Sequence, residues 1–150
     1  MRLVIQRVLE AGVRIDGLVK SSIGKGLLVL VGFEETDNSD DLEYTAKKLV
    51  NMRIFSDAEG KMNFSVKETR GEILLVSQFT LFADTRKGNR PSFVRAAKPD
   101  QAIPLYENFI LLVEKELGSK VQTGVFGADM KVSMVNDGPL TITIDSGQTN

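Results

Sequence analysis

The 150-residue sequence contains no histidine, no cysteine and no tryptophan. Without imidazole or thiol it can build no Ser-His-Asp or Cys-His nucleophile pair, no Cys/His zinc site and no redox cysteine motif. Disulfides are excluded too. Nor is there an excess of charge of one sign: 19 Lys+Arg stand against 20 Asp+Glu, a net charge of −1, which argues against a broadly basic nucleic-acid coat but leaves room for a local basic patch. No apolar run approaches the roughly 20 residues that span a bilayer, and the opening Met1-Arg2-Leu3-Val4-Ile5-Gln6-Arg7 turns polar before a signal-peptide core accumulates. A soluble cytoplasmic protein with no membrane contact is expected. Neighbouring carboxylates such as Asp40-Asp41 lack EF-hand spacing, and Gly24-Lys25-Gly26 and Gly124-Val125-Phe126-Gly127 lack the spacing of a phosphate or dinucleotide cradle. No metal and no cofactor is expected.

With 42% hydrophobic residues the chain can bury a core, and its length suits one domain. Val13 and Ile15 alternate with Arg14 and Asp16, Gly17 breaks the chain, and Gly24-Lys25-Gly26 leads into Leu27-Leu28-Val29-Leu30-Val31, apolar on both faces. That pattern predicts a hairpin feeding an interior strand. From about Ser39 the period changes, and Leu42, Thr45, Ala46, Leu49 and Val50 share one helical stripe behind a capping start rich in Asp and Ser. Arg53-Ile54-Phe55 reads as extended, residues 56–60 as a turn, and Ile73-Leu74-Leu75-Val76 as a second buried strand running into Ser77-Gln78-Phe79-Thr80. Residues 83–99 read as loop. A second helix is expected from about Asp100 to Leu117, with Pro104 near its first turn and Gly118 as its stop. Two more strands, one through Met130, Val132 and Met134 and one through Leu140, Ile142 and Ile144, flank Asn136-Asp137-Gly138-Pro139. The polar residues 146–150 are expected to fray. The sum is a mixed α/β domain over residues 1–145, each helix covering a sheet face.

Three segments could carry chemistry. Ser77-Gln78-Phe79-Thr80 closes a very apolar strand with polar side chains, which must be hydrogen-bonded or face a cleft. A strand turning outward explains it as well as a catalytic site does, and a Thr hydroxyl is a poor nucleophile without an adjacent base. Asn136-Asp137-Gly138-Pro139 reads first as a tight turn between two strands. Residues 85–99 contain Arg86, Lys87, Arg90, Arg95 and Lys98 but no acid, directly after the candidate strand end. A solvated loop is the simpler reading, and phosphate contact the functional one.

Taken together, Ser77-Gln78-Phe79-Thr80-Leu81, Lys87-Gly88-Asn89-Arg90-Pro91-Ser92-Phe93, Thr123-Gly124-Val125-Phe126-Gly127-Ala128 and Asn136-Asp137-Gly138-Pro139-Leu140-Thr141 resemble the D-aminoacyl-tRNA deacylase family in order and spacing. Val4-Ile5-Gln6-Arg7-Val8 and the stretch from Arg53-Ile54-Phe55 to Gly60-Lys61-Met62-Asn63 match as well, so the likeness covers nearly the whole chain. Leu140 stands where many relatives carry Val.

The resemblance implies a homodimer of α/β class, its mixed β-sheets covered by two main helices in β/β/α layers. It implies hydrolysis of the ester joining a D-amino acid, or mischarged glycine, to the 3′-terminal adenosine of tRNA. Gln78, Phe79 and Thr80 would form the reaction centre, with Ser77, Phe126, Gly127, Met130 and Asn136 on the substrate. A cis Gly138-Pro139 pair, supported by Arg7, would reach into the partner subunit as a chirality filter. Arg86, Lys87, Arg90 and Arg95 would meet tRNA phosphates. A non-catalytic tRNA-binding module and a hydrolase of other small esters are the alternatives.

Overall fold

The computed structural model describes residues 1–148. Its first strand, β1 (Arg2–Ile15), is long enough to serve three partners. It turns through Asp16-Gly17 into β2 (Leu18–Ile23), the two-residue Asp-Gly turn that suits the twist of a hairpin. β3 (Gly26–Gly32) then pairs antiparallel with the first half of β1, from Arg2 opposite Gly32 to Val8 opposite Gly26. The hairpin and the interior strand thus stand as the periodicity predicts, while residues 2–8 are also strand although Gln6 and Arg7 interrupt their apolar run.

α1 (Ser39–Asn51) starts at a capping box: the Asn38 side chain accepts from Asp40 N at 2.9 Å, and the Asp41 carboxylate accepts from Asn38 N at 3.0 Å. A separate small hairpin of β4 (Phe55–Ser56) and β5 (Met62–Phe64) follows. β6 (Glu72–Ser77) returns parallel to β3, and after α2 (Pro99–Leu117) the short β7 (Gln122–Thr123) pairs parallel with β6. Pro104 lies inside α2 rather than in its first turn, because the helix already begins at Pro99.

The last strand, β8 (Lys131–Asp145), corrects a sequence expectation. Asn136 to Pro139 is no turn between two strands. Both flanking segments pair antiparallel with the same strand, Val132 opposite Val13 and Ile142 opposite Ile5, so the chain never reverses. The residues in excess are accommodated by register shifts between Gln6 and Val8 and between Val8 and Glu10. Turn-forming composition was satisfied by a bulge.

The sheet runs β2-β1-β3-β6-β7, with β8 on the other edge of β1. Both helices cover the same face, against the expectation of one helix per face. Leu27, Val29 and Val31 of β3 and Ile73 and Leu75 of β6 pack with Leu42 and Leu49 of α1 and with Phe109 and Val113 of α2 in one buried cluster. Alternate residues of the same strands, Leu28, Leu74 and Val76, pack instead with Val8, Ala11, Val13 and Ile23, so the second face is covered by the curled far half of β1 and β2. The layers are therefore strand, strand and helix. Of the tail expected to fray, Ser146 is buried, its hydroxyl accepting from the Met1 ammonium at 2.7 Å and its N–H donating to Met1 O at 3.0 Å. Residues 149 and 150 lie outside those described. Among the described residues no helix is long and apolar enough to cross a membrane.

Candidate active site

β6 carries its apolar run to Val76, and at Ser77 the chain leaves the sheet. Gln78 N still donates to Val31 O at 2.7 Å, but Phe79–Phe82 forms a short 3-10 turn instead of the expected strand extension. The physical cause is Phe82, which is buried beneath the Arg2 and Arg95 guanidinium groups, 5.0 Å and 5.6 Å from its ring. Burying that ring at the end of β3 requires the backbone to tighten. The first i to i+3 bond runs from Leu81 N to Gln78 O at 3.3 Å, so the N–H groups of Phe79 and Thr80 precede the hydrogen-bonded turn.

Ser77, Gln78 and Phe79 face Phe126, Gly127 and Met130 across a cleft of about 330 Å³. The opposite wall is held from below by Tyr106 of α2. Its hydroxyl donates to Leu75 O at 2.9 Å, the same carbonyl accepts from Gly124 N at 3.1 Å, and its ring lies 6.2 Å from that of Phe126. Burial pushes the Tyr106 hydroxyl well above the ordinary phenol range, so it remains a donor throughout the physiological span. Gly124 has a packing role: a Cβ there would meet the Met130 sulfur, and the methionine side chain would have to shift from its place in the wall.

Thr80 is linked to the cleft through Gln78, whose side-chain amide donates to the Thr80 hydroxyl oxygen. Among the described residues no carboxylate or amine is hydrogen-bonded to that hydroxyl, so its proton has no base waiting for it.

Gly138 and Pro139 lie elsewhere on the same chain. They are exposed on the bulge of β8, and the bond between them is cis. Asn136 fixes the bulge by accepting from Leu140 N at 2.8 Å and donating to Leu140 O at 3.2 Å. Arg7 braces its inner side, donating from Nε to Asp137 O at 3.0 Å and from Nη1 to Ile54 O at 2.6 Å. Gly138 has φ 143, and a Cβ there would stand 3.1 Å from the Arg7 guanidinium. Arg7 and Asp137 line a different cleft, of about 450 Å³, together with Lys25 and Arg70. One chain therefore brings together Ser77, Gln78, Phe79, Phe126, Gly127 and Met130, and keeps Arg7, Asn136, Gly138 and Pro139 apart from them.

The basic stretch is a loop, as expected, pinched by two-way backbone bonds between Asp84 and Ser92 at 2.7 Å and 2.9 Å. Its cations are not equivalent. Arg86 clasps Asp84, whose carboxyl is held far below its usual range by that guanidinium, and Arg95 pairs with Glu34 at 2.9 Å. Lys87 and Arg90 are exposed and have no ion-pair partner among the described residues. Phe93, part of the motif over residues 87–93, lies edge-on to Phe79 with ring centroids 5.1 Å apart. Outside a helix or strand no periodicity distinguishes an exposed phenylalanine from a core one, so its place became visible only in three dimensions.

Fold and site together define a small α/β protein whose candidate centre consists of amide, hydroxyl, aromatic and main-chain groups. The chain belongs to the D-Tyr-tRNA(Tyr) deacylase family, whose profile matches residues 4–145. It is 58% identical over 146 residues to the D-aminoacyl-tRNA deacylase of Flavobacterium psychrophilum and 61% identical over 146 residues to that of Parabacteroides distasonis, covering 97% of each chain in both comparisons. Among solved structures it is similar to a c-Myc DNA unwinding element binding protein, with a TM-score of 0.89, 41% identity and coverage of 97% of this chain and 98% of that one. A probable eukaryotic D-amino acid tRNA deacylase shares the fold at a TM-score of 0.81 and 21% identity, covering 95% and 97% of the two chains.

Proposed function

We propose that this protein hydrolyses the ester bond of D-aminoacyl-tRNA, and of tRNA mischarged with glycine, releasing the free amino acid and intact tRNA. The observation that carries the reading, beside family membership, is the cleft that joins Ser77, Gln78 and Phe79 to Phe126, Gly127 and Met130 without an activated side-chain nucleophile. An aminoacyl ester is already reactive, so modest transition-state stabilisation suffices. Water attacks the ester carbonyl, with the neighbouring 2′-OH of the terminal adenosine aiding its deprotonation. The N–H groups of Phe79 and Thr80 stabilise the developing oxyanion, a contribution of about 3 kcal/mol per well-placed donor. Collapse breaks the bond to the ribose oxygen, which takes up a proton and leaves as the tRNA hydroxyl.

Handedness is read by backbone. In this proposal the protein is a homodimer, and Gly138-Pro139 of one protomer enters the cleft of its partner; their exposure on a braced bulge away from their own chain's cleft supports that arrangement. Main-chain atoms placed there hold the substrate's amino group and drive an L side chain into the backbone, whereas a D side chain points away. Glycine, having no side chain to collide, passes. The exposed cations Lys87 and Arg90 meet tRNA phosphates, with Arg86 and Arg95 contributing at the loop's flanks, in the cytoplasm where translation runs.

Incubation of the purified protein with D-tyrosyl-tRNA is expected to release D-tyrosine, while D-tyrosine ethyl ester without tRNA is spared. An intact tRNA ester identifies a mere binding module. Cleavage of the ethyl ester identifies a generic hydrolase.

A further inference from the structure

Phe79 and Phe93 stand in solvent at 54% and 38% exposure, their rings edge to face with planes at 72°. Large apolar side chains left this open beside a cleft ask for a partner. Their location says which kind. Phe79 lines the cleft proposed to hold the reacting ester, and Phe93 directly follows the loop pinched between Asp84 and Ser92. Phe79 thus joins the ring pair to the cleft, and Phe93 joins it to the loop that carries the free cations Lys87 and Arg90. The single acid at the loop's base, Asp84, is neutralised by Arg86. Open aromatic faces beside unpaired cations match a single-stranded nucleic acid, whose bases stack on aromatic rings while its phosphates follow basic side chains.

We infer that the Phe79–Phe93 pair is a stacking platform for the unpaired base that precedes the terminal adenosine of the tRNA 3′ strand, with Lys87 and Arg90 on the adjoining phosphates. The inference rests on the deacylase reading, which seats the terminal nucleoside in the cleft. Phe93 is then a positioning residue: it orients the strand and touches none of the reacting atoms.

Phe93→Leu keeps apolar bulk but removes the ring, and Phe93→Tyr keeps the ring. An RNA oligonucleotide with the acceptor-strand sequence, carrying 2-aminopurine in place of the base before the terminal adenosine, reports stacking by loss of fluorescence. Quenching is expected with the wild type and Phe93→Tyr and is expected to vanish with Phe93→Leu. In parallel, the ratio of kcat/KM for D-tyrosyl-tRNA to that for D-tyrosyl-adenosine is expected to fall about tenfold in Phe93→Leu and to recover in Phe93→Tyr, as loss of one base stack requires. An unchanged ratio, or Phe93→Leu behaving like Phe93→Tyr, overturns the platform while leaving the deacylase reading intact. A drop in sedimenting mass with Phe93→Leu also overturns it, assigning the rings to a protein interface. If the wild type cleaves neither ester, the deacylase reading fails and the platform with it.

Discussion

Arg7 uses its guanidinium on two main-chain carbonyls 47 and 130 residues away in sequence, and is largely shielded from solvent while doing so. Charge-assisted bonds of this kind contribute about 1.5–3 kcal/mol each, and the bulge that Asn136 fixes at its base loses its inner brace when Arg7 goes. Arg7→Met is therefore expected to lower stability by about 2 kcal/mol in urea titrations and, more tellingly, to raise cleavage of L-tyrosyl-tRNA relative to the D form. Thr80 behaves oppositely. Its hydroxyl accepts from Gln78 and faces no base, so Thr80→Ala is expected to keep at least about a tenth of the wild-type kcat, with no covalent aminoacyl-enzyme trapped on acid quench. Loss of all activity, or a trapped ester on the wild type, contradicts attack by water. At this scale the sequence was informative about identity more than role: Ser77, Gln78 and Thr80 were legible as an unusual polar strand end. Arg86 pairs with Asp84 only two residues away, whereas the pairing of Arg95 with Glu34 and the contact of Phe93 with Phe79 depend on residues arriving from elsewhere in the chain.

Among the elements, β8 shows where local reading stops. Asn136-Asp137-Gly138-Pro139 has the composition of a hairpin turn, and only the shared partner β1 reveals that the chain continues in the same direction. The 3-10 turn after β6 was hidden in the same way, since its cause is the burial of Phe82 beneath Arg2 and Arg95. The helices were legible because caps and periodicity are local: Asn38 and Asp41 start α1, and Gly118 ends α2. The end of β8 is tied to the start of β1 by Arg2 and Asp145, 2.6 Å apart. Burial raises the Asp145 pKa, but hydrogen bonds from Arg2 and from Gly147 N–H outweigh it, so the carboxyl is held below its ordinary value. A depressed folded-state pKa means that the unfolded chain takes up the proton first as pH falls. The stabilisation is therefore complete above the ordinary carboxylate pKa of about 4 and fades as pH drops through the folded value. Urea midpoints measured from pH 6 down to pH 3 are expected to fall less steeply for Asp145→Asn than for the wild type, from a lower starting level. Parallel curves contradict the assignment.

For the whole molecule, the cleft that holds Ser77, Gln78 and Phe79 is separate from the bulge that carries Gly138 and Pro139 on one chain, which gives association a chemical purpose in the proposed mechanism. The strand bearing Gly138 and Pro139 also exposes Val132 and Met134, alternate residues on one face, which the second copy in the proposed dimer would cover. Sequence alone reached the class of fold and, through a resemblance spread over most of the chain, the reaction. Strand order and the covering of one sheet face by β1 and β2 required the three-dimensional register. The absence of histidine and cysteine restricts the chemistry and fits the proposed mechanism, in which selectivity resides in main chain. The decisive measurement is the hydrolysis rate of matched D- and L-tyrosyl-tRNA by the same purified protein. Rapid loss of the D ester with the L ester surviving at its uncatalysed rate is the expected result; equal cleavage of the two contradicts the account.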